Sequence, residues 1–92
     1  MDEAAIWAAR DDVELLELDG GFTLFDGTTG RAIFLNHTAS QVLSLADGHT
    51  GLAEMTTMLA ATYGVAPEAI ADDVRSAMAA LAAAGAVRQV NP

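Results

Sequence analysis

Alternation of apolar and polar positions marks the first third of the chain, and a recurrence every third or fourth residue marks the rest. Val13 and Leu15 alternate against Glu14, which predicts a strand over Val13 to Leu18, although Leu16 and Leu18 shift the phase and imply a bulge or two buried faces. Asp19-Gly20-Gly21 is a turn signal. Phe22 to Asp26 reads as a second strand, Gly27-Thr28-Thr29-Gly30 as a four-residue turn, and Arg31 to Asn36 as a third strand. The three make an antiparallel meander. A turn at 27 to 30 places Leu24 opposite Ile33 and Phe22 opposite Leu35, so one face carries four large apolar side chains and needs a cover. The reverse face carries Thr23, Phe25, Ala32 and Phe34, and the third strand is therefore apolar on both sides. A cover is expected there too.

Helical periodicity begins after the meander. Ala39, Val42, Leu43 and Ala46 follow i, i+3, i+4, i+7 spacing, with Asn36 or Thr38 as N-cap and Asp47-Gly48 as terminator. Thr50 is the N-cap candidate of a second helix, which carries Glu54 in its first turn, Leu52, Met55, Leu59 and Tyr63 on one side, and Gly64 at its left-handed end. Pro67 and Glu68 open a third helix that Gly85 closes, with Ile70, Val74, Ala77, Met78 and Leu81 as its inner stripe. Val87 to Val90 is a short terminal strand. Residues 1–12 show little pattern beyond Ile6 and Trp7 and read as a flexible N-terminal arm, with residues 13–92 as the folded domain. The fold class expected is α+β, a three-stranded antiparallel meander followed by three α-helices.

Composition narrows the function. Fifty-two per cent hydrophobic and 18% charged residues describe a globular chain, and 92 residues make one domain with a small core. No apolar run approaches the roughly 18 to 20 residues that span a bilayer, and Met1-Asp2-Glu3 lacks the basic start of a secretory signal, so a cytoplasmic location without membrane attachment is expected. A net charge of −9, with four arginines and no lysine, repels nucleic acid and anionic lipid and favours basic or neutral partners; it also keeps a small domain soluble.

Catalytic chemistry finds little footing. Absence of cysteine removes disulfides, thiolate metal sites and a cysteine nucleophile. His37 and His49 are the sole histidines and lack an i, i+4 partner, which argues against a metal site. Ser40 sits at a strand-helix corner without a Gly-x-Ser-x-Gly elbow, the carboxylates are scattered, and Gly27 to Gly30 has no lysine or following helix to cradle phosphate. No catalytic residue, cofactor or metal is expected.

Val13 to Val90 resembles the PqqD-like family of precursor-peptide recognition elements of ribosomally made, modified peptides. The resemblance rests on Leu35-Asn36, Thr38-Ala39, Asp47-Gly48, Tyr63-Gly64-Val65, Asp73-Val74, and Leu81 followed by Gly85 and Val87, in that order and spacing. It differs in placing Ala77 and Met78 where the family usually has bulkier residues. The resemblance implies a winged-helix-like body and a non-enzymatic adaptor, in which a leader peptide adds a strand to the free edge of the third strand beside the third helix. The peptide-binding residues implied are Arg31, Ala32, Ile33, Phe34 and Leu35 on the strand, and Asp72, Asp73, Ser76, Ala77 and Ala80 on the helix. The residues themselves supply a basis for this. Arg31 to Leu35 has no proline, lysine or internal charge to protect an edge, and Asp73, Ala77, Ala80 and Ala84 lie along one flank of the third helix, where small side chains leave a groove. Asp72 and Asp73 could meet a basic residue of the leader.

Within that family the expected setting is lasso-peptide biosynthesis, the expected partners being the precursor leader peptide and a cysteine-protease-like leader peptidase. Two other readings are weighed. A winged-helix nucleic-acid binder needs a basic recognition helix, whereas Glu68 to Leu81 offers Arg75 against Glu68, Asp72 and Asp73. A carrier protein needs an attachment serine opening a helix, whereas Leu43-Ser44-Leu45 falls inside one. An adaptor for some other protein partner stays open.

Overall fold

A computed structural model describes residues 4–18, 21–27 and 29–90. The chain runs β1 (Ile6–Ala9), β2 (Val13–Leu18), β3 (Gly21–Asp26), β4 (Arg31–Leu35), α1 (His37–Leu45), β5 (Asp47–Gly51), α2 (Leu52–Tyr63), α3 (Pro67–Ala83) and β6 (Val87–Val90). These elements form an α+β body with two antiparallel sheets, one ordered β2-β3-β4 and the other β5-β1-β6. The turn residues Asp19, Gly20 and Thr28 lie outside the described residues.

The meander has the register that alternation and turn length require. Leu24 pairs with Ile33 and Phe22 with Leu35, while Leu15 completes a Leu15-Leu24-Ile33 row across the sheet. Unbroken pairing from Val13 to Leu18 excludes the bulge considered for β2. The inner face closes on the helices: Leu24, Val42, Leu52, Met55, Val74, Met78 and Leu81 are almost fully enclosed in one cluster, with Ile33, Leu35 and Leu15 packed against it. Burial of each large side chain contributes about 1.5–3 kcal/mol.

Within the segment expected as an arm, Ile6–Ala9 forms a strand, and residues 1–3 lie outside the described residues. Ile6–Ala9 lies between β5 and β6 and pairs with both, Ile6 with Gly51 and Val90, Ala8 with Asp47 and Arg88. The reason is backbone satisfaction, since a central strand is held by hydrogen bonds on both sides whatever its side chains. Trp7 packs against the core from this strand. A further correction concerns the start of α2. Gly51 is its N-cap, and Thr50 belongs to β5, where the Asp47 carboxylate accepts from the amides of His49 (2.8 Å) and Thr50 (2.9 Å) and from the Thr50 hydroxyl (3.1 Å). These donors, the His49 amide foremost, hold the Asp47 carboxyl below its ordinary pKa of 3.8.

The helix ends follow local chemistry. Asn36 Oδ1 accepts from the Ala39 amide at 2.8 Å and caps α1, and Gly64 ends α2 at φ 70°. A Cβ at Gly64 would meet nothing within 4 Å, so a side chain there is opposed by backbone conformation alone.

Three outcomes follow. Ala8→Pro interrupts the central strand and lowers unfolding free energy by about 2–4 kcal/mol, whereas a detached arm would leave it unchanged; urea denaturation measures the difference. Asn36→Ala and Gly64→Ala each cost about 1 kcal/mol in the same assay. Because Asp47 is more acidic folded than unfolded, its contribution is complete above pH 3.8 and fades as pH falls through the lower folded value, so carboxyl NMR should find its midpoint below 3.8 and Asp47→Asn should weaken the acid dependence of stability.

Candidate functional site

Strand β4 ends its sheet. It pairs with β3 on one side, and among the described residues no other strand pairs with it, so the outward N–H and C=O groups of this edge stay open. Helix α3 runs alongside. Its orientation follows from two anchors. The His37 ring, just past the end of β4, lies 6.1 Å from the Tyr63 ring at the end of α2, and α3 starts four residues later. At the other end Arg10 Nη1 donates to the Gly85 carbonyl at 2.8 Å and lies 3.6 Å from the carboxylate of Asp26, the register partner of Arg31. Helix α3 is therefore antiparallel to β4, with Asp73 towards Leu35 and Ala84 towards the start of the strand.

Between them lies a groove of about 420 Å³. Its strand side is Ile33, Phe34 and Leu35, its helix side Asp73, Ser76, Ala77, Ala80, Leu81 and Ala84, and its base and end are Leu24, Asn36, Thr38 and Ala39. The groove exists because α3 divides its surface. Val74, Met78 and Leu81 are fully buried and carry the core contact, while the neighbouring flank offers a carboxylate, a hydroxyl and alanines, whose short side chains do not reach the strand.

Of the residues expected from sequence, Ile33, Phe34, Leu35, Asp73, Ser76, Ala77 and Ala80 line this groove together. Arg31 and Ala32 stand on the same strand but not in the lining. Asp72 also stands outside it, 92% exposed and paired with Arg75 one turn on. Leu24, Asn36, Thr38, Ala39 and Leu81 were not anticipated as lining residues. Thr38 and Ala39 reach it because α1 packs on α3, and Leu24 comes from the middle strand of the sheet, placements that helical periodicity does not encode.

Chemically the groove combines apolar side chains with the polar Asn36, Thr38 and Ser76 and one charge. Asp73 is the only charged lining residue, it is exposed, and among the described residues it forms no ion pair. Ser40, which sequence set beside His37, donates its hydroxyl to the His37 carbonyl at 2.7 Å, a helix-internal bond. No three His, Cys, Asp or Glu side chains among the described residues converge to hold a metal ion. None of the helices among these residues is long and apolar enough to cross a membrane.

The outer face of the meander is a second surface, which shares Phe34 with the groove. Leu16, Thr23 and Phe34 form one cross-strand row, Phe25 and Ala32 pair in the next, and Phe34 is 89%, Leu16 41% and Phe25 38% exposed. The cover expected for this side does not come from the described part of the chain.

Comparison with known proteins gives the same fold. A structure of TbiB1 in complex with the TbiA(beta) leader peptide matches 92% of this chain and 99% of its own with a TM-score of 0.72 and 22% identity. A lasso peptide synthetase B1 complexed with the leader peptide matches at TM-score 0.71 and 22% identity, covering 89% of this chain and 96% of that one. No curated protein matches in sequence. The model of the family of coenzyme PQQ synthesis protein D (PqqD) matches residues 21–87, which takes in β3, β4, all three helices and the groove, and this chain belongs to that family.

Proposed function

We propose that this chain is a non-catalytic adaptor that binds the leader segment of a ribosomally made precursor peptide and presents it to the enzymes that process it. The observation that carries this reading is the open edge of β4 beside the alanine-lined groove. An extended peptide docking there gains main-chain hydrogen bonds that do not depend on its sequence, and its alternate side chains enter the groove, where shape selects among them. Family membership and the leader-peptide complexes formed by both structural neighbours support the same reading.

Those neighbours favour a lasso-peptide pathway, in which the partner enzyme is a cysteine-protease-like leader peptidase. The exposed apolar row of Leu16 and Phe34 with Phe25 beside it is the surface this reading assigns to such an enzyme, because it adjoins the peptide-bearing edge and nothing in the described chain covers it. Location in the cytoplasm, where precursor peptides are made, belongs to the same proposal.

The test is titration of the purified protein with the leader peptide of a precursor encoded beside its gene. A dissociation constant of about 1 μM or below is expected. Ala80→Trp, a surface change that fills the groove, should weaken binding by about tenfold or more with an unchanged circular dichroism spectrum. N-methylation of alternate leader amides should weaken it similarly, and methylation of the intervening ones should not. Absence of binding to any adjacent precursor leader would overturn the proposal.

A further inference from the structure

Resting on the strand-addition reading, we infer that the peptide this groove accepts carries a basic residue at one fixed position, paired with Asp73, followed at two-residue steps by apolar side chains that fill the space over Ala77, Ala80 and Ala84. The argument starts from length. Asp73 to Ala84 spans about 16 Å at 1.5 Å per helical residue, and an extended strand advances about 3.3 Å per residue. An added strand thus meets the whole groove with about five residues. Its side chains alternate, so positions 1, 3 and 5 of that segment face α3 and positions 2 and 4 face away.

Chemistry then assigns those three positions. Asp73 sits in the second turn of α3, near the Leu35-Asn36 end, and the rest of the helix lining is a serine, three alanines and Leu81. One end of the helix wall is therefore anionic, and the rest of that wall carries one serine and apolar side chains, mostly alanine. The neighbouring carboxylate, Asp72, is already occupied by Arg75, so Asp73 is the carboxylate left to face a ligand. A carboxylate accepts and does not donate, and a chain of net charge −9 surrounds it with negative potential that attracts a cation before contact. Lysine or arginine meets both conditions. The end at which the basic residue lies also reports direction: it is N-terminal in a strand antiparallel to β4 and C-terminal in a parallel one.

A display selection tests this without knowledge of the natural leader. A random nine-residue peptide library is panned against the full-length protein, against Asp73→Lys, and against the groove-filled Ala80→Trp. Wild type should enrich Lys or Arg at one position with apolar residues two and four places away, and Asp73→Lys should exchange that preference for Asp or Glu. For one selected peptide, Asp73→Lys should weaken binding about fivefold at low salt, the loss fading above about 0.5 M salt as screening sets in. Peptides that are enriched by wild type and lost on Ala80→Trp, yet carry tyrosine, an apolar residue or no preference where the basic residue is expected, would overturn this inference and leave the strand-addition reading intact. Failure to enrich any peptide, or equal enrichment on Ala80→Trp, would overturn both.

Discussion

Backbone hydrogen bonding governs how this small protein is arranged. Each strand carries a ladder of donors and acceptors that water or another strand must satisfy. In the second sheet β1 is satisfied on both sides, which ties the beginning, middle and end of the chain together through β5 and β6. In the meander the ladder stops at β4. Each three-stranded sheet keeps two edge strands, and β4 is the edge that borders the groove beside α3.

Helix α3 turns that opening into a shaped site. A single helix here serves two surfaces at an angle to one another, because residues three and four apart share a face. Val74, Met78 and Leu81 hold it on the core, and Arg10 pins the turn after it by donating to Gly85 while approaching Asp26. Held at one end by this bridge and along its length by packing, α3 leaves a groove between itself and β4. The groove follows from rigid placement combined with small residues, not from a loop that must order itself on binding.

Much of this was legible in sequence, and the parts that were not share a cause. Period-two alternation and a four-residue turn determine the Leu24-Ile33 and Phe22-Leu35 register, and Asn36, Gly64, Pro67 and Gly85 punctuate the helices. The flank of α3 that lines the groove also follows from helical spacing. By contrast, Ala5, Ile6, Trp7, Ala8 and Ala9 alternate in no way that signals a strand, and in Asp47-Gly48-His49-Thr50-Gly51 the first two residues read as a helix terminator and Thr50 as the next N-cap because no apolar residue marks a strand. Both become strands through partners some 40 to 80 positions away, information that no local window holds. The base of the groove escaped notice for a similar reason, since Asn36, Thr38 and Ala39 reach it only once α1 has packed on α3.

The separation of the two faces of α3 has an evolutionary corollary. At Ala80 and Ala84, which line the groove outside the core cluster, a change to serine, valine or threonine would reshape the groove while leaving Met78 in place. Ala77 and Leu81 serve core and groove together, so on the proposed reading it is through Ala80 and Ala84 that descendants of such a protein can acquire new clients by single substitutions without passing through an unfolded ancestor.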